Sequence, residues 1–153
     1  MLTLTFGKHK GETMGKLILK EPGYIKWMLE EPNASGPMAK AAADARRLIK
    51  RFDDNAFTEP CSGSRCQRPA TRCSAYRGSP DLLSWCDECD IYGAGAIDGR
   101  LTEVRTYAEA LRHIDMTDNG TTTGYRDIIR SLARRKGLPE RVGAKQIERF
   151  FGV

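Results

Sequence analysis

Four cysteines set as two pairs, Cys61-x4-Cys66 and Cys86-x2-Cys89, constrain the middle of this chain more than any other feature. Each knuckle offers two thiolates from one tight turn, and two knuckles together supply the four ligands that a tetrahedral zinc ion takes. Between the pairs, Ala70 to Tyr76 and Leu82 to Trp85 read as two short strands joined by the turn Gly78-Ser79-Pro80-Asp81. The competing account is a disulfide framework. The chain opens Met1-Leu2-Thr3-Leu4-Thr5-Phe6, with neither a basic nor an apolar leader region, so the expected compartment is the cytoplasm, where thiols persist and disulfides are rare. The fifth cysteine, Cys73, falls inside a predicted strand and reads as a small buried residue; as a ligand it would take the place of Cys66.

Two knuckles and an intervening hairpin resemble a four-cysteine zinc ribbon over residues 57–100. The expectation is a structural zinc on Cys61, Cys66, Cys86 and Cys89. Trp85, next to the second knuckle, has two readings: a roof that keeps water from the sulfurs, or an ordinary core aromatic, which is the commoner outcome.

Charge divides the chain in three. Residues 1–52 hold ten Lys and Arg against five acids, residues 53–123 seven against twelve, and residues 124–153 eight against three. The formal net charge of +5 therefore hides two basic ends around an acidic centre, which points one or both ends at a polyanion; a solvated surface explains the same balance without a partner. The composition shifts predict small modules packed together, with boundaries near residues 56 and 100. The apolar runs are far too short for a membrane span.

In the first module, Leu2 to Phe6 alternates as a half-buried strand, and Gly7-Lys8-His9-Lys10-Gly11 follows as a basic turn. Met14, Leu17 and Ile18, then Tyr24, Trp27, Met28 and Leu29, continue as helical segments broken at Glu21-Pro22-Gly23. The run Phe6-Gly7-Lys8-His9-Lys10-Gly11, with Met14, Leu17 and Glu21-Pro22-Gly23-Tyr24-Ile25-Lys26-Trp27-Met28-Leu29, resembles the small module found at the carboxyl end of exodeoxyribonuclease X-like proteins and in related bacterial and phage proteins. The resemblance covers about the first third of the chain and implies an accessory, nucleic-acid-associated role. The parent exonucleases carry a separate catalytic domain that begins with Asp-x-Glu; the opening strand here has no such motif, so their activity is not carried over. Lys8 and Lys10, with His9 between them, are the phosphate-contact candidates, whereas Phe6, Leu17, Tyr24 and Trp27 read as core. Pro37 to Phe52 then reads as a helix whose basic end suits its own dipole as well as it suits DNA.

In the last third, Val104, Tyr107, Ala108, Leu111 and Ile114 follow a helical stripe starting near Thr102, with His113 off the stripe and expected at the surface. A second helix turns Tyr125, Ile128, Ile129, Leu132 and Ala133 inward and Arg126, Arg130 and Arg134 outward, with Arg135 at its end; Gly137-Leu138-Pro139 stops it. The last, Ala144 to Phe151, anchors through Ile147, Phe150 and Phe151 and carries Lys145 and Arg149 on another face. Such a pair is either a helix-turn-helix that presents Arg134, Arg135, Lys145 and Arg149 to DNA or a cap that docks on the ribbon.

No catalytic constellation stands out: there is no P-loop, no Ser/His/Asp order and no His-x-x-x-His. A nuclease built on cysteine knuckles would place a histidine just after the metal turns, where this chain reads Asp90-Ile91-Tyr92-Gly93-Ala94-Gly95; a zinc with four thiolates also lacks the open position that water activation needs. The expectation is an α+β protein made of a β-hairpin and helix module, a zinc ribbon and a helical tail, acting as a non-catalytic nucleic-acid-binding adaptor with DNA as the favoured ligand. The alternatives are a regulator that binds a polymerase or nuclease complex in replication, repair or transcription through Asp87, Glu88 and Asp90, and a small metal-dependent nuclease.

Overall fold

The computed structural model of the chain describes residues 1–91 and 100–153; residues 92–99, including most of the histidine-free stretch after the second knuckle, lie outside the described residues. The protein is α+β. Three helices come first, α1 (Met14–Lys20), α2 (Pro22–Glu30) and α3 (Gly36–Asp54). A three-stranded antiparallel sheet follows, β1 (Arg72–Tyr76), β2 (Leu82–Trp85) and β3 (Leu101–Val104), in the order β2-β1-β3. Helices α4 (Tyr107–Thr117), α5 (Thr122–Arg135) and α6 (Ala144–Phe151) complete the chain. No described helix is long and apolar enough to cross a membrane.

The opening residues keep the expected alternation, with Leu4 buried and Thr3 and Thr5 exposed, but make only an isolated bridge, Thr3 to Thr13. The turn between them closes through Gly11 N donating to Leu4 O (2.8 Å) and Leu4 N to Glu12 O (2.9 Å). Both flanking glycines, Gly7 and Gly11, take left-handed backbone at φ +69° and +90°, which a side chain would strain. Helix α1 ends and α2 begins at Glu21-Pro22, since proline has no N–H to continue the first helix but suits the first turn of the second. Ile25 and Met28 point α2 into the core, while Tyr24 is half-buried and Trp27 is 52% exposed. Trp27 is thus a surface residue, not the core aromatic expected: the inward face of α2 is already filled by the other pair three residues apart.

The hairpin pairs Cys73 with Ser84 and Ala75 with Leu82, close to the expected boundaries. Strand β3 was not expected. It pairs Cys73 with Val104 and Tyr76 with Leu101, so the helix expected from Thr102 begins five residues later. The Thr106 side chain accepts from Glu109 N (3.2 Å) and donates to the Glu109 carboxylate (3.0 Å), a side-chain N-cap that fixes that start. Two further corrections follow on α4. Ala108 faces solvent where Ala110 is buried, and His113 is 1% exposed rather than superficial, its Nδ1 3.0 Å from Thr102 Oγ1 of β3.

Helices α4 and α5 cover β3 and β2, and α6 docks on α1 and α3 rather than on the sheet. A Cβ at Gly15 of α1 would sit 2.8 Å from Ile147 Cγ2, so the close approach of α6 depends on that glycine. Phe52 meets Tyr107 (centroids 5.3 Å) and Phe150 (5.5 Å) edge-to-face, and the Tyr107 hydroxyl donates to Ile18 O (2.9 Å). One buried cluster runs from Leu4 to Phe151 and includes Cys73, Ala75, Leu82 and Val104 of the sheet. A smaller one gathers Trp85, Ile91 and Leu101 with Cys61 and Cys86.

Candidate metal centre and basic surface

The first knuckle is a backbone construction. Cys61 N donates to Arg68 O (2.8 Å), Ser62 N to Ser84 O (2.8 Å) and Cys66 N to Gly63 O (3.0 Å), which ties the turn to itself and to β2. Gly63 N points at Cys61 Sγ (3.3 Å), and Arg65 turns left-handed (φ +57°) just before Cys66. A Cβ on Gly63 would lie 2.7 Å from Cys89 Sγ and 3.3 Å from Cys61 Sγ, so only glycine lets the two knuckles close.

The second knuckle is held from outside by Arg72 of β1. Its Nε donates to Cys86 O (3.2 Å), one terminal nitrogen to Cys89 O (2.7 Å), and the other pairs with Glu103 of β3 (3.2 Å). Arg105 continues the network to Glu103 (2.8 Å) and Asp87 (3.3 Å), Thr71 donates to Asp87 (2.7 Å), and Arg68 pairs with Glu88. These contacts hold two carboxyls below their usual range, Asp87 through the Thr71 hydroxyl and Arg105, and Glu103 through Arg105 and Arg72. Trp85 packs in the cluster that contains Cys61 and Cys86 and donates from Nε1 to the buried Ser74 hydroxyl (2.7 Å), so it is core residue and thiol neighbour at once.

The result is a group of four sulfurs, from Cys61, Cys66, Cys86 and Cys89, all within 4.8 Å of one another; Cys66 and Cys86 stand 3.9 Å apart. The edge of a tetrahedron with metal–sulfur bonds of 2.3 Å is about 3.8 Å, so the spacing suits a metal ion. Burial opposes ionisation of Cys86, but N–H groups of Glu88 and Cys89 and the adjacent thiols outweigh it and bring the thiol down to about 6. Cys89, which shares its proton with Cys86, Cys61 and Cys66, is pushed up to about 12. Cys73 stands apart, fully buried in the large cluster, where desolvation pushes its thiol up to about 11.

The basic candidates separate into different environments. Lys8 and Lys10 are exposed on the glycine-flanked turn; His9 is half-buried against Tyr24, ring centroids 4.6 Å apart. Arg134 is exposed and shares a hollow of about 300 Å³ with Lys20 and Arg130. Arg149 borders another with Gln146 and the buried Lys136, and Lys145 is exposed at the start of α6. Arg135 differs from these: it pairs with Glu59 while its carbonyl accepts from Thr58 N (2.8 Å), which ties α5 to the segment leading into the first knuckle. Lys136 Nζ donates to Asp53 O (2.8 Å) and Asn55 O (2.9 Å), closing the end of α3. Gly63, Thr71 and Arg72 were not anticipated as parts of the site; the glycine inside the first knuckle was the available signal for Gly63, and none marked Arg72, whose role depends on how β1 passes the second knuckle. Comparison with protein-family models, curated proteins and solved structures returned no match to this chain.

Proposed function

We propose that Cys61, Cys66, Cys86 and Cys89 hold a structural zinc ion and that the chain is a non-catalytic, nucleic-acid-binding adaptor. Four thiolates leave zinc no open position, so the metal supplies shape and folding energy rather than an activated water. The observation that carries the nucleic-acid reading is a set of exposed basic side chains, at both ends of the chain, left without an ion pair. Around the metal site Arg68, Arg72 and Arg105 are paired with acids, whereas Arg65 of the first knuckle is exposed and makes no ion pair within the described residues. Lys8, Lys10, Arg130, Arg134, Lys145 and Arg149, all from the terminal segments, are exposed and make no ion pair within the described residues. Unspent cations are what a polyphosphate backbone recruits. The resemblance of the first module to the exodeoxyribonuclease X-like carboxyl-terminal module supports the same reading. Of the acids that the regulator reading rests on, Asp87 pairs with Arg105 and Glu88 with Arg68, both at the surface.

The test is the affinity of the zinc-loaded protein for labelled duplex and single-stranded oligonucleotides across a salt series. Binding should weaken steeply with salt, and charge reversal at Lys8, Lys10, Lys145 and Arg149 should flatten that slope. Absence of binding at low salt sinks the adaptor reading and leaves a protein partner. For the metal, Cys86→Ser should lose zinc and loosen the sheet; full metal content in that variant would falsify the ligand set.

A further inference from the structure

The exposed Trp27 and the half-buried Tyr24 of α2 form one wall of a groove of about 630 Å³, with Phe6 and Met38 alongside. Trp27 is 52% exposed and lies 5.5 Å from Tyr24, the ring planes inclined by 36°. An exposed tryptophan beside a second ring gives up solvent exclusion for its own burial and offers a flat π surface. Lys8 lines the groove with its Nζ 5.9 Å from the Tyr24 centroid, and the amino ends of two helices open there, α2 at Gly23 and α5 at Thr122, each with an acid beside it, Glu21 at the start of α2 and Asp118, which accepts from the Thr121 hydroxyl, at the start of α5. The acid on its wall, Glu21, is turned toward Arg126 (3.8 Å).

From Thr122 the same face of α5 continues as Arg126, Arg130 and Arg134 at intervals of four residues. That ridge runs about 18 Å from Thr122 to Arg134 at 1.5 Å per residue. It ends at the hollow shared with Lys20, whose carbonyl accepts from Arg126 Nε (3.1 Å). A stacking platform that opens onto a line of cations is complementary to a strand with unpaired bases. A duplex cannot use it, because its bases already stack on each other.

We propose that this surface binds single-stranded polynucleotide, one base stacking on Trp27 in the groove and the phosphates following the arginines of α5. The proposal rests on the nucleic-acid reading above and adds strand type and location to it. The chemistry engaged, a base face and phosphates, is common to DNA and RNA.

Binding of the zinc-loaded full chain to a short oligothymidylate, the matching oligouridylate and a duplex of equal length tests it. Both single strands should bind more tightly than the duplex and quench the protein's fluorescence. Trp27 rather than the 5%-exposed Trp85 is the accessible ring, so the quench should vanish in Trp27→Phe while most of the affinity remains. Trp27→Ala should weaken single-strand binding about 5- to 100-fold and leave duplex binding unchanged. Arg130→Glu with Arg134→Glu should weaken binding of both forms and reduce the salt slope. An unaltered single-strand affinity in Trp27→Ala, or a duplex bound as tightly as the single strands, overturns the groove proposal while salt-dependent binding keeps the adaptor reading. Failure of wild-type protein to bind any of the three probes overturns both. Trp27 is a surface residue, so retention of the wild-type thermal transition separates lost binding from lost fold.

Discussion

Arg72 makes three contacts with one guanidinium: it grips the carbonyls of Cys86 and Cys89 and pairs with the Glu103 carboxylate of the neighbouring strand. Removing it leaves all four sulfurs in the chain but frees the turn that aims two of them. Arg72→Ala should therefore weaken zinc affinity on the order of 10- to 100-fold in competition with a chromogenic chelator, with the stoichiometry unchanged. Cys73→Ala, in the other cluster, should leave the affinity as it is. His113 gives a second prediction. Burial holds its imidazole below the usual pKa, so the folded chain keeps it neutral while the unfolded chain protonates. Its contribution is fully present above the unfolded value of about 6.5 and is lost as pH falls through the folded value. Urea midpoints should drop as pH falls below about 6.5, and His113→Gln should flatten that part of the profile. The four ligands were legible in the sequence because thiol spacing is a local property. The placements of His113 and Trp27 were not: each depends on what occupies the neighbouring face, Thr102 of a strand eleven residues earlier for His113, and Ile25 with Met28 for Trp27.

Helices were the readable elements, above all α5 and α6, whose buried positions are the apolar stripes seen in the sequence. Local periodicity suffices where a helix lies on a core. Strand β3 escaped notice because Leu101 to Val104 is four residues long and gains its identity by pairing with β1, some thirty residues upstream. The apolar spacing of Val104 with Tyr107 fits a helix equally well, and the deciding signal was Thr106-x-x-Glu109, whose threonine caps the helix and places the first turn after Thr106. That cap is testable. Thr106→Ala should cost about 1 kcal/mol, a lowering of the thermal midpoint by roughly 2–4 °C for a domain of this size, with zinc content intact. An unchanged midpoint would mean that pairing of β3 alone fixes where α4 begins.

At the scale of the whole molecule, charge and composition divide the chain into three, yet the buried side chains join what composition separates. Leu4, Ile18 and Met28 from the first segment, Cys73, Ala75 and Leu82 from the second, and Ile129, Leu132 and Phe151 from the third belong to one cluster. The sheet is therefore bound on one side to the cysteine site, through Trp85 and Leu101, and on the other to the helices, through α4 and α5. If zinc fixes the knuckles, its free energy is passed to the helices through strands that both clusters share. A metal held at about a thousandfold above its dissociation constant stabilises the folded state by about 4 kcal/mol, which corresponds to a thermal midpoint on the order of 10 °C higher than that of the stripped protein. The expected result is one transition, at the same temperature by far-ultraviolet circular dichroism, which reads the helices, and by fluorescence of Trp85 in a Trp27→Phe background, which reads the metal site. Chelation should move both signals down together. If only the Trp85 signal moves while the helices melt at the original temperature, the metal site folds as a unit of its own and the shared cluster does not couple it to the rest.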